Sequence, residues 1–324
     1  MNFNFLMCSE RSGSNLITQL LNSHPLVCAP ATKHLINPVA RNLFRYKDLS
    51  KTENWNALLT DIHTLLNADF SEWDTKFSLI DLEELTNIGE VNSLIRKIFE
   101  SEAKKQNKSQ LFIKENHLYE FMTFLLLNFP QSKFIYQTRD PRDMALSWRK
   151  NPSHPGGIIA AAKQWSKDQK KFLGDHYALS QIGRSHHLTY ESLISKPEES
   201  IKAVLKFLGL EYSDNVFNFH NNDATVKNAA KQEAWSNLSK PIISNNCQKY
   251  SNELTSIEIG MIEKLCFFEM NALGYKTVNS KVELDKIADL SIDDLAIKES
   301  KIYKSTPSAG TVENIQAKKN FYLR

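Results

Sequence analysis

An apolar run at residues 3–7 breaks at a polar turn holding Arg11, Ser12, Gly13, Ser14 and Asn15. Leu16, Ile17, Leu20 and Leu21 then recur at helical spacing. A strand that turns directly into a helix leaves backbone N–H groups unsatisfied at the helix start, all aimed at one point. The positive end of the helix and the Arg11 guanidinium act on that point. Gly13 lets an anion approach the backbone, and the hydroxyls of Ser12 and Ser14 add donors. The turn suits a phosphate- or sulfate-like group. It is not the common nucleotide-binding loop, which needs Gly-x-x-x-x-Gly-Lys-Ser/Thr; one Gly and an Arg stand here in place of two Gly and a Lys.

The same alternation continues along the chain. Short strands are expected at 111–114, 133–138 and 187–190, and helical patterns at 37–46, 53–67, 83–105, 118–128 and 158–173. Strands separated by helices of ten or more residues make βαβ units, so the expected fold is α/β: a P-loop-like three-layer sandwich whose central, mostly parallel sheet is flanked by helices. Ligands of such sheets bind outside the carboxyl ends of the strands. Arg11, the segment 114–117, Arg139 and Tyr190 each follow a predicted strand, so they converge on one crevice.

Around Arg139 a second site is legible. Phe134, Ile135 and Tyr136 suit a buried strand, and Asp140-Pro141 is a strong helix start, an N-cap followed by proline at the first helical position. Arg139 therefore sits where strand meets helix, with Ser147 two turns along. This pair can grip a second phosphate; alternatively Arg139 pairs with Asp140 or Asp143 and Ser147 is a small packing residue.

Together these stretches resemble the sulfotransferases that use 3′-phosphoadenosine-5′-phosphosulfate (PAPS). In that family the Arg-Ser-Gly-Ser/Thr loop near the N-terminus binds the 5′-phosphosulfate, and a later Arg followed eight residues on by Ser binds the 3′-phosphate. The resemblance continues at residues 187–193, with Pro197 and Phe207-Leu208-Gly209, where the family places the tyrosine, here Tyr190, near the adenine. It is weaker at Trp235-Ser236-Asn237-Leu238 and in a helix from about Glu253 that closes at Leu273-Gly274-Tyr275. It covers residues 3–275 and looks closer to the broad bacterial and tyrosylprotein-type enzymes than to the cytosolic aryl sulfotransferases. The chain departs from the family at Cys8-Ser9-Glu10, where Gly and Pro are usual, and at Asn15, where a hydroxyl is usual. An Arg-Lys-Gly segment near the C-terminus is absent, and Lys227, Lys231 and Lys240 are the candidates for the missing cation.

The resemblance implies a sulfotransferase domain at 1–275, with a helical insertion at 36–105 shaping the acceptor pocket and a peripheral tail at 276–324. It implies PAPS as co-substrate, 3′-phosphoadenosine-5′-phosphate (PAP) as product and no metal. The acceptor would be a hydroxyl or amine of a small-molecule, glycan or natural-product compound. Arg11, Ser12, Gly13, Ser14, Asn15, Arg139, Ser147, Tyr190, Lys227 and Lys231 would hold the nucleotide. Arg11 would neutralise the leaving phosphate, and Lys114 could reach the sulfuryl group. Ile113-Lys114-Glu115-Asn116-His117 is similar to the Lys-Thr-His segment that supplies the base in cytosolic relatives, with one extra residue. His117 leads as base, ahead of Glu115 and His34. Trp55, Phe70, Trp73 and Phe77 would suit an apolar or sugar-like acceptor or serve as plain core. His24, beside Pro25, reads as a helix C-cap group. His186 and His187 point to opposite faces of a strand, which rules out a metal pair.

Bulk properties exclude several classes. A chain of 324 residues, 41% hydrophobic and 24% charged, is ordinary for a globular protein with a sizeable core. A net charge of +3 argues against a broad nucleic-acid surface but permits a local basic pocket. Cys8, Cys28, Cys247 and Cys266 lack metal-ligand spacing and read as reduced packing residues of a cytoplasmic protein. The N-terminus has no signal-peptide pattern, and no apolar run approaches a membrane span. Oligomeric state is left open, a homodimer included. Two other readings remain: a small-molecule kinase using ATP, disfavoured by the missing Lys-Ser/Thr and Mg²⁺-binding Asp, and a non-catalytic nucleotide-binding member of the fold.

Overall fold

The computed structural model describes residues 1–231 and 233–324. In chain order the elements are β1 (Asn2–Cys8), α1 (Ser14–Asn22), β2 (Val27–Cys28), α2 (Ile36–Asn42), α3 (Thr52–Asn67), α4 (Leu79–Leu85) and α5 (Val91–Lys105). Then come β3 (Gln110–Lys114), α6 (Met122–Asn128), β4 (Phe134–Thr138), α7 (Pro141–Arg149), α8 (Gly157–Gln181) and β5 (Ser185–Thr189). After these follow α9 (Tyr190–Ser195), α10 (Pro197–Leu208), α11 (Asp223–Lys231), α12 (Tyr250–Glu253), α13 (Ser256–Ala272), α14 (Lys281–Asp285), α15 (Asp289–Ile302) and α16 (Ala309–Leu323).

Among the described residues the strands form one sheet in the order β2-β3-β1-β4-β5, and every pairing is parallel. The chain fills one side of β1 first and then the other, so the order reverses at β1 and opens a crevice above the strand ends. β1 shows why helices must cover both faces. Phe3, Phe5 and Met7 pack into one apolar cluster and Leu6 and Cys8 into another, as the period of two requires. The expected α/β sandwich is the fold.

Local chemistry sets the element ends nearest the crevice. Asp140 accepts from Arg142 N at 2.9 Å, and Pro141 opens α7. The Thr189 hydroxyl accepts from Ser192 N at 3.1 Å, so the strand expected to run to Tyr190 stops one residue earlier and Tyr190 begins α9. The single helix expected over 83–105 is two, α4 and α5, parted near Gly89, whose φ of +86° breaks the helical path.

Residues 276–324, expected as a peripheral tail, fold as the helices α14, α15 and α16, which set a few anchors into the body. Ile292 of α15 joins the cluster that holds Trp165 and Ile158. Phe321 of α16 is fully buried in the cluster of Phe3 and Phe5, a burial worth about 1.5–3 kcal/mol. Arg324 then clasps Asp61 of α3 with two bonds, at 2.7 and 2.8 Å. A polar average composition concealed a few buried anchors.

Candidate active site

The turn between β1 and α1 is held by backbone geometry and not by a cap. Arg11 and Gly13 both take positive φ, +62° and +83°, and no side chain caps α1. Its first N–H groups are therefore left for an outside anion. Ser12 is turned inward, its hydroxyl donating to Ser9 O at 2.6 Å, so it shapes the turn from beneath. A Cβ at Gly13 would fall 2.2 Å from Cδ2 of Tyr190, so the turn and that ring are in direct contact.

The two basic stretches meet here. Arg11 Nε donates to Ser147 Oγ at 3.2 Å. Arg139 Nη1 donates to Arg11 O at 3.0 Å and Nη2 to Asn246 O at 3.3 Å. The Arg139 guanidinium lies 4.5 Å over the Tyr190 ring, whose hydroxyl accepts from Asn246 Nδ2 at 2.7 Å. Of the two alternative partners, Asp140 is taken by Arg142 at 2.6 Å, while Asp143 accepts from the backbone of Gln248 and Tyr250 and feels the Arg139 charge without an ion-pair contact. Arg139 Nε is buried without a hydrogen-bond partner among the described residues. Arg139 itself lines the cavity, and an incompletely satisfied guanidinium there is a place for an anion.

Those residues line a cavity of about 620 Å³ with Gly13, Ser14, Asn15, Lys114 and Asn116. Burial, with help from the nearby Arg139 charge, lowers the pKa of Arg11 to about 10. Burial likewise lowers that of Lys114, whose Nζ donates to Asn15 Oδ1 at 2.9 Å. The amide at position 15 thus orients a lysine. Glu10 is a counter-ion in the same cavity: it bonds Asn116 and meets His154 Nε2 at 2.6 Å. Although burial alone would raise its pKa, the His154 contact brings it down to about 2.

The candidate bases separate. His117 lies outside the cavity lining: it takes a positive φ of +53° as the chain leaves β3, its ring is 5.8 Å from Tyr119, and its Nε2 is 3.5 Å from Gln164 Nε2. Glu115 is buried beneath the cavity, its Oε1 accepting from Ile36 N at 2.9 Å; burial pushes its pKa up to about 7. His34 does line the cavity, with Nδ1 3.8 Å from Glu115 Oε2 and its ring 5.6 Å from Phe70. Burial holds His34 well below the usual histidine range, so it is neutral at neutral pH.

Other expectations are corrected. Lys227 and Lys231 lie outside the lining; Lys231 is held by Asp69 and sits 3.8 Å from Glu72, while Lys240 does line the cavity. Trp55, Trp73 and Phe77 are core, and Phe70 is the member of 36–105 among the described lining residues. Sequence reading missed His154, Asn246 and Lys318; no local pattern marks them, since each reaches the cavity through long-range packing. Among the described residues no group of three or more potential ligands could hold a metal, and no helix is long and apolar enough to cross a membrane.

A family model described as "Sulfotransferase family" matches residues 5–214. An uncharacterized protein of Aquifex aeolicus (strain VF5) is 23% identical over 266 residues, 78% of this chain and 31% of that protein. A putative protein-tyrosine sulfotransferase of Caenorhabditis briggsae is 26% identical over 167 residues, 50% of this chain and 59% of that protein. The chain spans between about a third and three-fifths of the length of these two curated relatives. The sulfotransferase domain from the curacin biosynthetic pathway is similar in fold, with a TM-score of 0.58 at 19% identity over 85% of this chain and 99% of that one.

Proposed function

The chain belongs to the sulfotransferase family, and we propose that it transfers a sulfuryl group from PAPS to a hydroxyl or amine of a small-molecule, glycan or natural-product acceptor, in the cytoplasm and without a metal. The observation that carries this reading is the junction of the two basic stretches: Arg11 against Ser147, and Arg139 against the Arg11 carbonyl with its Nε unpartnered. One anion site at the helix start and a second a few ångströms away suit a donor with phosphates at both ends of one ribose. A triphosphate bound in a Mg²⁺ complex would want the Lys-Ser/Thr and carboxylate that this turn lacks.

In this reading Arg139 and Ser147 hold the 3′-phosphate, and Tyr190 lies beside the adenosine. Arg11, Ser14, Asn15 and the free N–H groups of α1 hold the 5′-phosphosulfate, with Gly13 admitting it and Ser12 shaping the turn. As the acceptor oxygen closes on sulfur, the bond from sulfur to the bridging oxygen breaks and charge gathers on the departing phosphate. Arg11 and Lys114 neutralise it, and a single such donor is typically worth several kcal/mol. The base is His34: with Nδ1 turned to Glu115, Nε2 is left to take the acceptor proton, and Glu115 steadies the imidazolium that forms. Residues 1–275 carry the chemistry, and α16 closes the acceptor side.

Calorimetry with PAP and with ATP, each with and without Mg²⁺, tests the reading. PAP should bind without metal and more tightly than ATP; ATP binding that needs Mg²⁺ and exceeds that of PAP would establish the kinase reading instead.

A further inference from the structure

The half of the cavity beyond Lys114 is walled by α16, which contributes Thr311, Asn314, Ile315 and Lys318. The helix is fixed in place. Asn314 Nδ2 donates to Lys33 O at 3.1 Å, Ala317 and Phe321 are buried, and Arg324 anchors the end on Asp61. Lys318 is therefore held at the wall by the turns on either side of it.

The other charges of this half are engaged. Lys114 bonds Asn15, Glu10 is taken by Asn116 and His154, and Glu115 accepts from Ile36 N while facing His34. Lys318 has no hydrogen-bond or ion-pair partner among the described residues. The charges it feels most are Glu115 and Glu10, and burial lowers its pKa. A half-buried ammonium held on a rigid helix without a direct partner loses hydration that the carboxylates of Glu115 and Glu10 offset only in part. The rest is recovered when an anion arrives. The donor's own phosphates are expected at the Arg11 and Arg139 side, so the anion belongs to the other substrate.

Resting on the sulfuryl-transfer reading above, we propose that the acceptor carries its own anionic group, a carboxylate or phosphate, and that Lys318 binds that group while the acceptor hydroxyl faces His34. A neutral acceptor of the same shape would leave Lys318 desolvated and unpaired, which selects against it.

The test uses the full chain saturated with PAP and three probes that differ in one group: glycerol 3-phosphate, glycerate and glycerol. The rate of acetylation of Lys318 by a limiting acylating reagent is read by mass spectrometry at millimolar probe. One or both anionic probes should slow Lys318 by about tenfold, the scale of a charge-assisted contact, while glycerol leaves it unchanged. Whether glycerol 3-phosphate or glycerate protects tells phosphate from carboxylate. Lys318→Met should weaken binding of the protecting probe about tenfold with PAP affinity unchanged. Unaltered Lys318 acetylation with both anions, or equal protection by glycerol, overturns the proposal. If PAP itself does not bind, the donor reading fails, and anion protection of Lys318 measured without PAP still decides this one.

Discussion

Arg139 donates to the backbone carbonyl of Arg11 at 3.0 Å, so the cation at the end of β4 also holds the turn after β1 in shape. This bracing contact, together with the binding role proposed for it, sets what a substitution there does. Nη1 and Nη2 each give one N–H to a carbonyl and keep a second, while Nε is unpaired, and a lysine could not reproduce that planar division.

Arg139→Ala should weaken PAP far more than adenosine 5′-phosphate, by roughly 1.5–3 kcal/mol. Calorimetry on both ligands checks this. Equal losses would mean that Arg139 only braces the turn and that the 3′-phosphate lies elsewhere.

Gly13→Ala should be costly for two separate reasons, the φ of +83° and the collision with Tyr190. The expected loss is about 1–3 kcal/mol of stability, with PAP affinity falling too. In a Tyr190→Ala background the collision disappears and the φ remains, so the loss shrinks without vanishing. Denaturant unfolding of the four proteins gives the coupling; an identical loss in both backgrounds would show that the ring does not press on the turn.

His34→Ala should remove most turnover, 10²–10⁴-fold being typical of a positioned base, and leave PAP binding nearly intact. His117→Ala should keep most activity, because its ring lies outside the cavity lining. The acidic limb of the pH–rate profile should disappear in the His34 variant. Reversed outcomes would return the base to His117.

Glu115 predicts a pH signature in stability. Burial raises its pKa from 4.5 to about 7, which favours the protonated acid in the fold. That contribution is fully present below pH 4.5 and is lost as pH rises through about 7. Glu115→Gln should therefore gain on the wild type across this window, by an amount on the order of 3 kcal/mol. His34, held low, titrates in the opposite sense, so the comparison is of variant with wild type at each pH and not of either curve alone. Parallel curves would show that the acid is not desolvated.

The sequence by itself determined four of the five strands, β2 (Val27–Cys28) being the exception, and the two basic turns at Arg11 and Arg139. A strand, Arg11-Ser12-Gly13-Ser14 and an apolar helical stripe are contiguous, and so are a strand, Arg139 and the Asp140-Pro141 helix start. Geometry within one turn of chain is set by neighbours in sequence, and the parallel topology then places both at strand ends. Tertiary structure alone decided the side of the cavity walled by His34 and α16. On the sequence His117 leads His34 as the base, and only the fold shows which of the two reaches the cavity. Which one lines the cavity depends on how the chain leaves β3 with a positive φ and on where residues after β2 pack. Lys318 and Phe321 sit in a polar stretch whose average conceals its anchors, and α16 finds its place against α2 and α3, more than 240 residues away in sequence. Contacts at that separation leave no periodic trace in the sequence, because each is fixed by the complementarity of surfaces that exist only once the sheet has formed.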